Sequence, residues 1–189
     1  MQGRNPEIRY RRDLWQLFAD VPLGELGGAA EIGVAEGNFS EDIFKWPIQF
    51  PFVYLVDRWR CMSDLKGDSA QPQIWHDKNY YRVVLRTARF ASRVVILKNE
   101  SDLAAYAVQN RSLHLVYVDA DHSYQGVMGD IRAWFPKLKQ GGVMAFHDYQ
   151  NSAYGVKRAV DGFCEEMRFT VFELPEDKAE DAGAYFQCD

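Results

Sequence analysis

The chain has 189 residues, a length that fits one domain. Hydrophobic residues make up 47% and charged residues 26%, which excludes the disordered and collagen-like classes. With 22 Lys+Arg against 27 Asp+Glu the net charge is −5, which argues against nonspecific nucleic-acid binding.

No apolar run approaches the roughly 20 residues of a membrane span. The start, Met1 to Pro6, lacks the apolar stretch of a secretory leader. Cys61, Cys164 and Cys188 have neither metal nor redox spacing. They read as reduced thiols of a cytoplasmic protein with no nucleic-acid or membrane partner.

Residues 1–26 read as a helical extension of a single domain over 1–189, with Arg9, Arg11 and Arg12 on a solvated face. A strand is expected over 29–35, a helix over 38–46 and a second strand over 52–57, rich in β-branched and aromatic residues. Residues 60–76, with Gly67 and Pro72, read as a long loop, followed by a helix over 77–91. Residues 93–97 form a third strand, 102–110 a helix and 113–118 a fourth strand. A helix over 124–138 is expected to stop before Gly141-Gly142, with a fifth strand over 143–147 and a helix over 153–167. The tail reads as two strands, 169–174 and 183–188, in a hairpin. Strands alternating with helices predict an α/β fold, a Rossmann-like, doubly wound, mostly parallel seven-stranded sheet closed by an antiparallel C-terminal hairpin.

In such sheets ligands bind at the carboxyl ends of the strands, near the point where strand order reverses. Polar or small residues sit at all five of the first strand ends. These are Glu31 to Ser40, Asp57, Asn99-Glu100-Ser101, Asp119 to His122, and His147-Asp148. Gly33 and Gly37 permit a tight turn and a close backbone approach to a ligand. An acid about 20 residues on, Asp57, suits ribose hydroxyls. A dinucleotide fingerprint needs G-x-G-x-x-G, and here Ala35 stands at its middle position, so a nucleoside without a pyrophosphate fits better.

These motifs, E-I-G-V-x-x-G-x-x-S, Y-L-V-D, Y-V-D-A-D-H and G-G-V-M-A-F-H-D, resemble those of class I S-adenosylmethionine-dependent methyltransferases. They are most similar to the metal-assisted O-methyltransferases, the catechol and caffeoyl-CoA type and the macrocin O-methyltransferase and cephalosporin-hydroxylase-like group. The resemblance extends over residues 27–175. It implies that Gly33 and Gly37 wrap the methionine part of the cofactor, that Glu31 opens that motif and that Asp57 holds the ribose. It also places Glu100 and Ser101 at the adenosine end, and Asp119 at the cofactor and as first metal ligand. Trp59, two residues after Asp57, falls where an adenine would lie. Two residues after strand five complete the family's metal site. Here they are His147-Asp148, and an imidazole suits zinc, iron or manganese better than magnesium. His122 matches the general base that deprotonates the acceptor hydroxyl.

Plainer readings stand beside these. Asp119 serves equally as an acidic strand terminus, and Asp121 and Ser123 as helix caps. His114, inside a strand, reads as structural, and His76 as a loop residue. Trp46 and Trp75 suit local packing near the pocket, and Trp134 the core. The rival functions are a nicotinamide-dependent oxidoreductase, a non-catalytic nucleoside-binding protein of the same fold and, from the resemblance alone, a hydroxylase-like activity. The acceptor is expected to be a small molecule, and the sparse elements around the pocket suggest a homodimer.

Overall fold

The computed structural model describes residues 8–63, 67–174 and 183–188. Seven strands form one sheet: β1 (Gly28–Ile32), β2 (Val53–Asp57), β3 (Val94–Lys98), β4 (Leu113–Val118), β5 (Leu138–His147), β6 (Phe172–Leu174) and β7 (Gly183–Gln187). Their order is β3-β2-β1-β4-β5-β7-β6. Pairings among the first five strands are parallel, whereas β7 runs antiparallel to both β5 and β6. The expected architecture is therefore the observed one. Strand order reverses between β1 and β4, and this is where such a sheet opens a crevice.

Helices α1 (Asn38–Lys45), α2 (Gln73–Thr87), α3 (Ser101–Ala105), α4 (Tyr124–Trp134) and α5 (Val156–Met167) connect the strands. Side chains alternate across each strand, so both faces of the central strands must be apolar to be covered. Ala30, Ile32, Val116 and Val118 pack with α3, α4 and α5. Ala29, Val53, Leu55 and Leu115 pack on the other face with α1 and α2. A 3-10 helix, Arg11–Phe18, joins that second face through buried Leu14 and Phe18.

Several boundaries differ from expectation. Strand β1 stops at Ile32, because Gly33 (φ 88°), Ala35 (φ 47°) and Gly37 (φ 84°) turn the backbone out of the sheet. Helix α2 starts at Gln73, so the loop ends at Pro72, and Trp75 and His76 are helical. A proline just before a first turn starts a helix as readily as it marks a loop. Helix α4 ends at Trp134, with Pro136 in the 3-10 turn that follows. Gly141-Gly142 is not the helix stop. It lies inside β5, where Gly141 has φ 74° and the pairing with β4 shifts register. Of the N-terminal extension, residues 1–7 lie outside the described residues and 11–18 form the 3-10 helix. Its arginines do not share one solvated face, since Arg11 is half-buried with its guanidinium 5.4 Å from the centre of the Phe39 ring. Among the described residues no helix is long and apolar enough to cross a membrane.

Candidate active site

The turn after β1 is held from three sides. Gly33 N–H donates to Val56 O at 2.8 Å, and Asp119 N–H to Ile32 O at 2.7 Å. A Cβ on Gly33 would lie 2.0 Å from the Asp119 carbonyl oxygen, so only glycine lets β4 end this close. Asp57 closes the third side. Its Oδ2 accepts from Ala35 N at 2.9 Å and its Oδ1 from Trp59 N at 2.7 Å. A carboxylate has about four acceptor positions, so each oxygen keeps capacity for a ribose hydroxyl.

Trp59 is 1% exposed, and its indole N–H donates to Ala35 O at 2.8 Å. Its ring packs edge-on to Tyr80 rather than standing open. With Arg58, Arg60, Lys98 and Glu100 it lines a cleft of 440 Å³ at the ends of β2 and β3. Glu100 is clamped there by Arg60 at 2.6 Å and Arg58 at 3.5 Å. Neither arginine stood out in the sequence, because the pairing joins residues 40 positions apart. Ser101 turns away from the cleft into the α3–α4 contact, where its Oγ accepts from Trp134 Nε1 at 2.8 Å.

Beneath the turn, Glu31 on β1 lies beside Tyr117 on β4, and Ser40 of α1 donates to its carboxylate. Burial pushes the Glu31 pKa up to about 8, against the pull of Ser40 and of the Arg11 charge. The Arg11 guanidinium also hydrogen-bonds Tyr117. Proton binding to Glu31 thus favours the folded state below its unfolded pKa of 4.5, and this stabilisation is lost as pH rises through about 8. From about pH 6.5 to pH 8, stability of the native chain should fall about 2 kcal/mol more than that of Glu31→Gln, at ~1.36 kcal/mol per pH unit. Urea unfolding at the two pH values measures it, and equal slopes would refute it.

On the other side of the reversal point, four side chains converge. Asp119 and His122 follow β4, His147 ends β5 and Asp148 follows it. His122 Nε2 lies 3.1 Å from Asp119 Oδ1 and 3.7 Å from Asp148 Oδ2. His147 Nδ1 lies 3.4 Å from Asp119 Oδ1 and 3.2 Å from Asp148 Oδ2. Burial resists charging His122, but the hydrogen bond and charge of Asp119, with Asp148 and Asp121, outweigh it and raise its pKa. Tyr154 stacks on the His122 ring at 4.7 Å, and Gly155 N–H donates to His122 O at 2.8 Å. The loop after β5 thereby fixes the imidazole, a contact that no sequence spacing signalled. Tyr154 is also on the wall of a second cleft, of 550 Å³, with Tyr149, Gln150 and Lys157.

The remaining candidates have structural roles. Ser123 is the N-cap of α4 and accepts from Gly126 N, while Asp121 accepts from Ser123 N. His114 is buried and its Nδ1 accepts from Gly27 N at 2.6 Å; burial pushes its pKa down to about 4. His76 is 6% exposed on the inner side of α2, not on a loop. Trp134 is core, with no exposure, and Trp46 is buried between Phe39 and Phe50.

A family model described as a methyltransferase domain matches residues 30–149, well over half of the chain. The chain belongs to the methyltransferase domain family. The Gly33–Gly37 turn and Asp57 lie within the matched residues. The methyltransferase fold is shared with CalS11, a calicheamicin methyltransferase (TM-score 0.66, 18% identity, 92% of this chain and 75% of that one). It is shared with the O-methyltransferase NovP (TM-score 0.62, 18% identity, 93% and 78%). A Corynebacterium glutamicum protein of known structure is equally similar (TM-score 0.64, 19% identity, 94% and 78%). A curated relative, the uncharacterized protein y4gI of Sinorhizobium fredii, is 26% identical over 102 residues, 54% of this methyltransferase. That match spans only 10% of the relative's length.

Proposed function

We propose that this methyltransferase acts on a hydroxyl oxygen of a small molecule or sugar. The observation that carries the reading is the convergence of Asp119, His122, His147 and Asp148 at the reversal point, beside the Gly33–Gly37 turn. The structural likeness to NovP, an O-methyltransferase, and to CalS11, described as a TDP-rhamnose 3′-O-methyltransferase, supports an oxygen acceptor.

In this reading Gly33 and Gly37 admit the methionine part of the cofactor, with Glu31 below the turn. Asp57 takes the ribose. Trp59 and Glu100 bound the adenosine end, and Ser101 supports that wall from behind. The reaction is an in-line displacement, so alignment of acceptor and methyl group supplies much of the rate. The acceptor oxygen forms a bond to the methyl carbon, and the carbon–sulfur bond breaks with its electron pair left on sulfur. The hydroxyl proton passes to His122. With Nε2–H donated to Asp119, the lone pair that receives it is on Nδ1, and Asp119 stabilises the resulting imidazolium. Asp119, His147 and Asp148 would hold a divalent ion such as magnesium, manganese or zinc, which when bound supplies Lewis acidity at the acceptor oxygen.

The reading keeps the protein cytoplasmic, with no nucleic-acid or membrane partner and a homodimer as its assembly. Among the described residues no disulfide joins Cys61, Cys164 and Cys188, which suits a reducing compartment.

Calorimetric titration with S-adenosylmethionine, S-adenosylhomocysteine and NAD tests the cofactor. Micromolar binding of the first two and none of NAD is expected. Binding of NAD alone would favour the oxidoreductase, and sulfur-nucleoside binding without turnover on a broad acceptor panel would favour the non-catalytic reading. Asp57→Ala should weaken S-adenosylhomocysteine roughly 10- to 100-fold, since hydrogen bonds to a charged group contribute about 1.5–3 kcal/mol. Unchanged affinity in that variant would remove Asp57 from the cofactor site.

A further inference from the structure

We infer that Arg11, in the 3-10 helix ahead of the sheet, binds the carboxylate at the methionine end of the cofactor. This rests on reading the Gly33–Gly37 turn as the place of that cofactor. It adds a ligand-binding residue that lies outside the family-matched residues 30–149.

Three neighbours locate the guanidinium. Before the turn stands Glu31, which feels the Arg11 charge. After the turn comes Phe39, in the first turn of α1, with its ring centre 5.4 Å from the guanidinium carbon. On the adjoining strand is Tyr117, the register partner of Glu31, to which Arg11 hydrogen-bonds. The Phe39 and Tyr117 rings are buried and their centres lie 3.9 Å apart. Contacts before the turn, after it and on the strand beside it place Arg11 against the turn.

Charge carries the assignment. The methionine part of the cofactor ends in an ammonium and a carboxylate. Glu31, Asp57 and Asp119 flank the turn closely enough for the charges of the two aspartates to act on Glu31. Acids suit the ammonium and the ribose, but they repel a carboxylate, which needs an opposing cation once it leaves water. Arg11 supplies one, since its charge reaches both Glu31 and Tyr117.

The side chain is also built for this partner. A guanidinium carries five N–H donors in a planar fork that matches a carboxylate with two parallel bonds. One phenol oxygen does not exhaust that set. Tyr117 and Phe39 already orient the group, so little rotamer freedom is lost on binding. Leu14 and Phe18 anchor the 3-10 helix in the core, so Arg11 is presented by a packed element. Arg12, one residue on, lies instead over the Tyr10 ring at 4.4 Å.

The test compares S-adenosylhomocysteine with its decarboxylated analogue, which keeps the amine and lacks only the carboxylate. In calorimetric titration of the full native chain the parent should bind at least ~10-fold more tightly than the analogue. Arg11→Ala should weaken the parent roughly 10- to 100-fold, the loss of charge-assisted hydrogen bonds, and leave the analogue within about threefold of its native affinity. Arg11→Gln, which keeps a donor for Tyr117 and loses the charge, should show the same selective loss. Arg11→Lys, which keeps the charge and loses the fork, should fall between. Circular dichroism reports the fold of each variant. Unchanged affinity for the parent in Arg11→Ala and Arg11→Gln, or an equal loss for both ligands, would overturn the assignment. The equal loss would make Arg11 a support of the turn only. A native chain that binds neither nucleoside would overturn the cofactor reading itself, and the assignment with it.

Discussion

His122→Ala should lower turnover by about 10²- to 10⁴-fold, the usual contribution of a positioned acid–base group. S-adenosylhomocysteine affinity should stay within about twofold of the native value. The physical reason is separation of labour across the reversal point. His122 contacts Asp119, Asp148 and Tyr154, whereas the residues proposed to hold the nucleoside, Asp57, Trp59 and Glu100, lie at the ends of β2 and β3. The split shows as lost kcat with unchanged cofactor binding. Added imidazole should restore part of the rate if the lost group was a base, because a small molecule can fill the space and take the proton. Turnover of the variant near the native rate would remove His122 from the mechanism.

Gly33→Ala should abolish measurable cofactor binding and destabilise the chain by roughly 3 kcal/mol or more, the range of severe backbone and packing defects. Two effects add. At φ 88° an L side chain is strained, and the new Cβ would sit 2.0 Å from the Asp119 carbonyl oxygen and 2.5 Å from its carbon. Both are backbone atoms, so no rotamer change relieves the clash, and the β1 turn must move away from β4. That movement would separate the proposed cofactor turn from the Asp119–His122–His147–Asp148 cluster. Gly37→Ala makes a graded control. Its φ is also positive, but the nearest atom to the new Cβ is the flexible Val83 Cγ2 at 3.1 Å, so its loss should be smaller. Thermal denaturation and calorimetric titration measure both. A Gly33→Ala protein as stable as the native chain would show that the close approach of β4 is not required.

Much of the site was legible because the fold places chemistry at strand ends. Once 28–32, 53–57, 113–118 and 138–147 alternate with helices, the residues after each strand are brought to one edge by the topology alone. Asp57, Asp119, His147 and Asp148 could therefore be grouped without a distance. Boundaries were less legible where one residue type serves two purposes. Gly141-Gly142 and Pro72 both read as interruptions, yet the glycines sit in a shifted β5 and the proline starts a helix. Local preference cannot separate a bulge from a stop, because the deciding partner is another strand.

The order of strands and helices, the glycine turn and the set of acids and histidines at the strand ends were determined by the sequence. Each depends on neighbours along the chain: hydrophobic periodicity, turn residues and spacing. Tertiary structure decided which groups touch. It buried Trp59 against Ala35, turned Ser101 toward Trp134, and brought Arg11 to Tyr117. It also laid Tyr154 on His122 and brought one ligand atom from each of the four cluster residues within 4.8 Å of the others. Those outcomes rest on contacts between elements remote in sequence, where side-chain direction and burial, rather than residue type, select the partner.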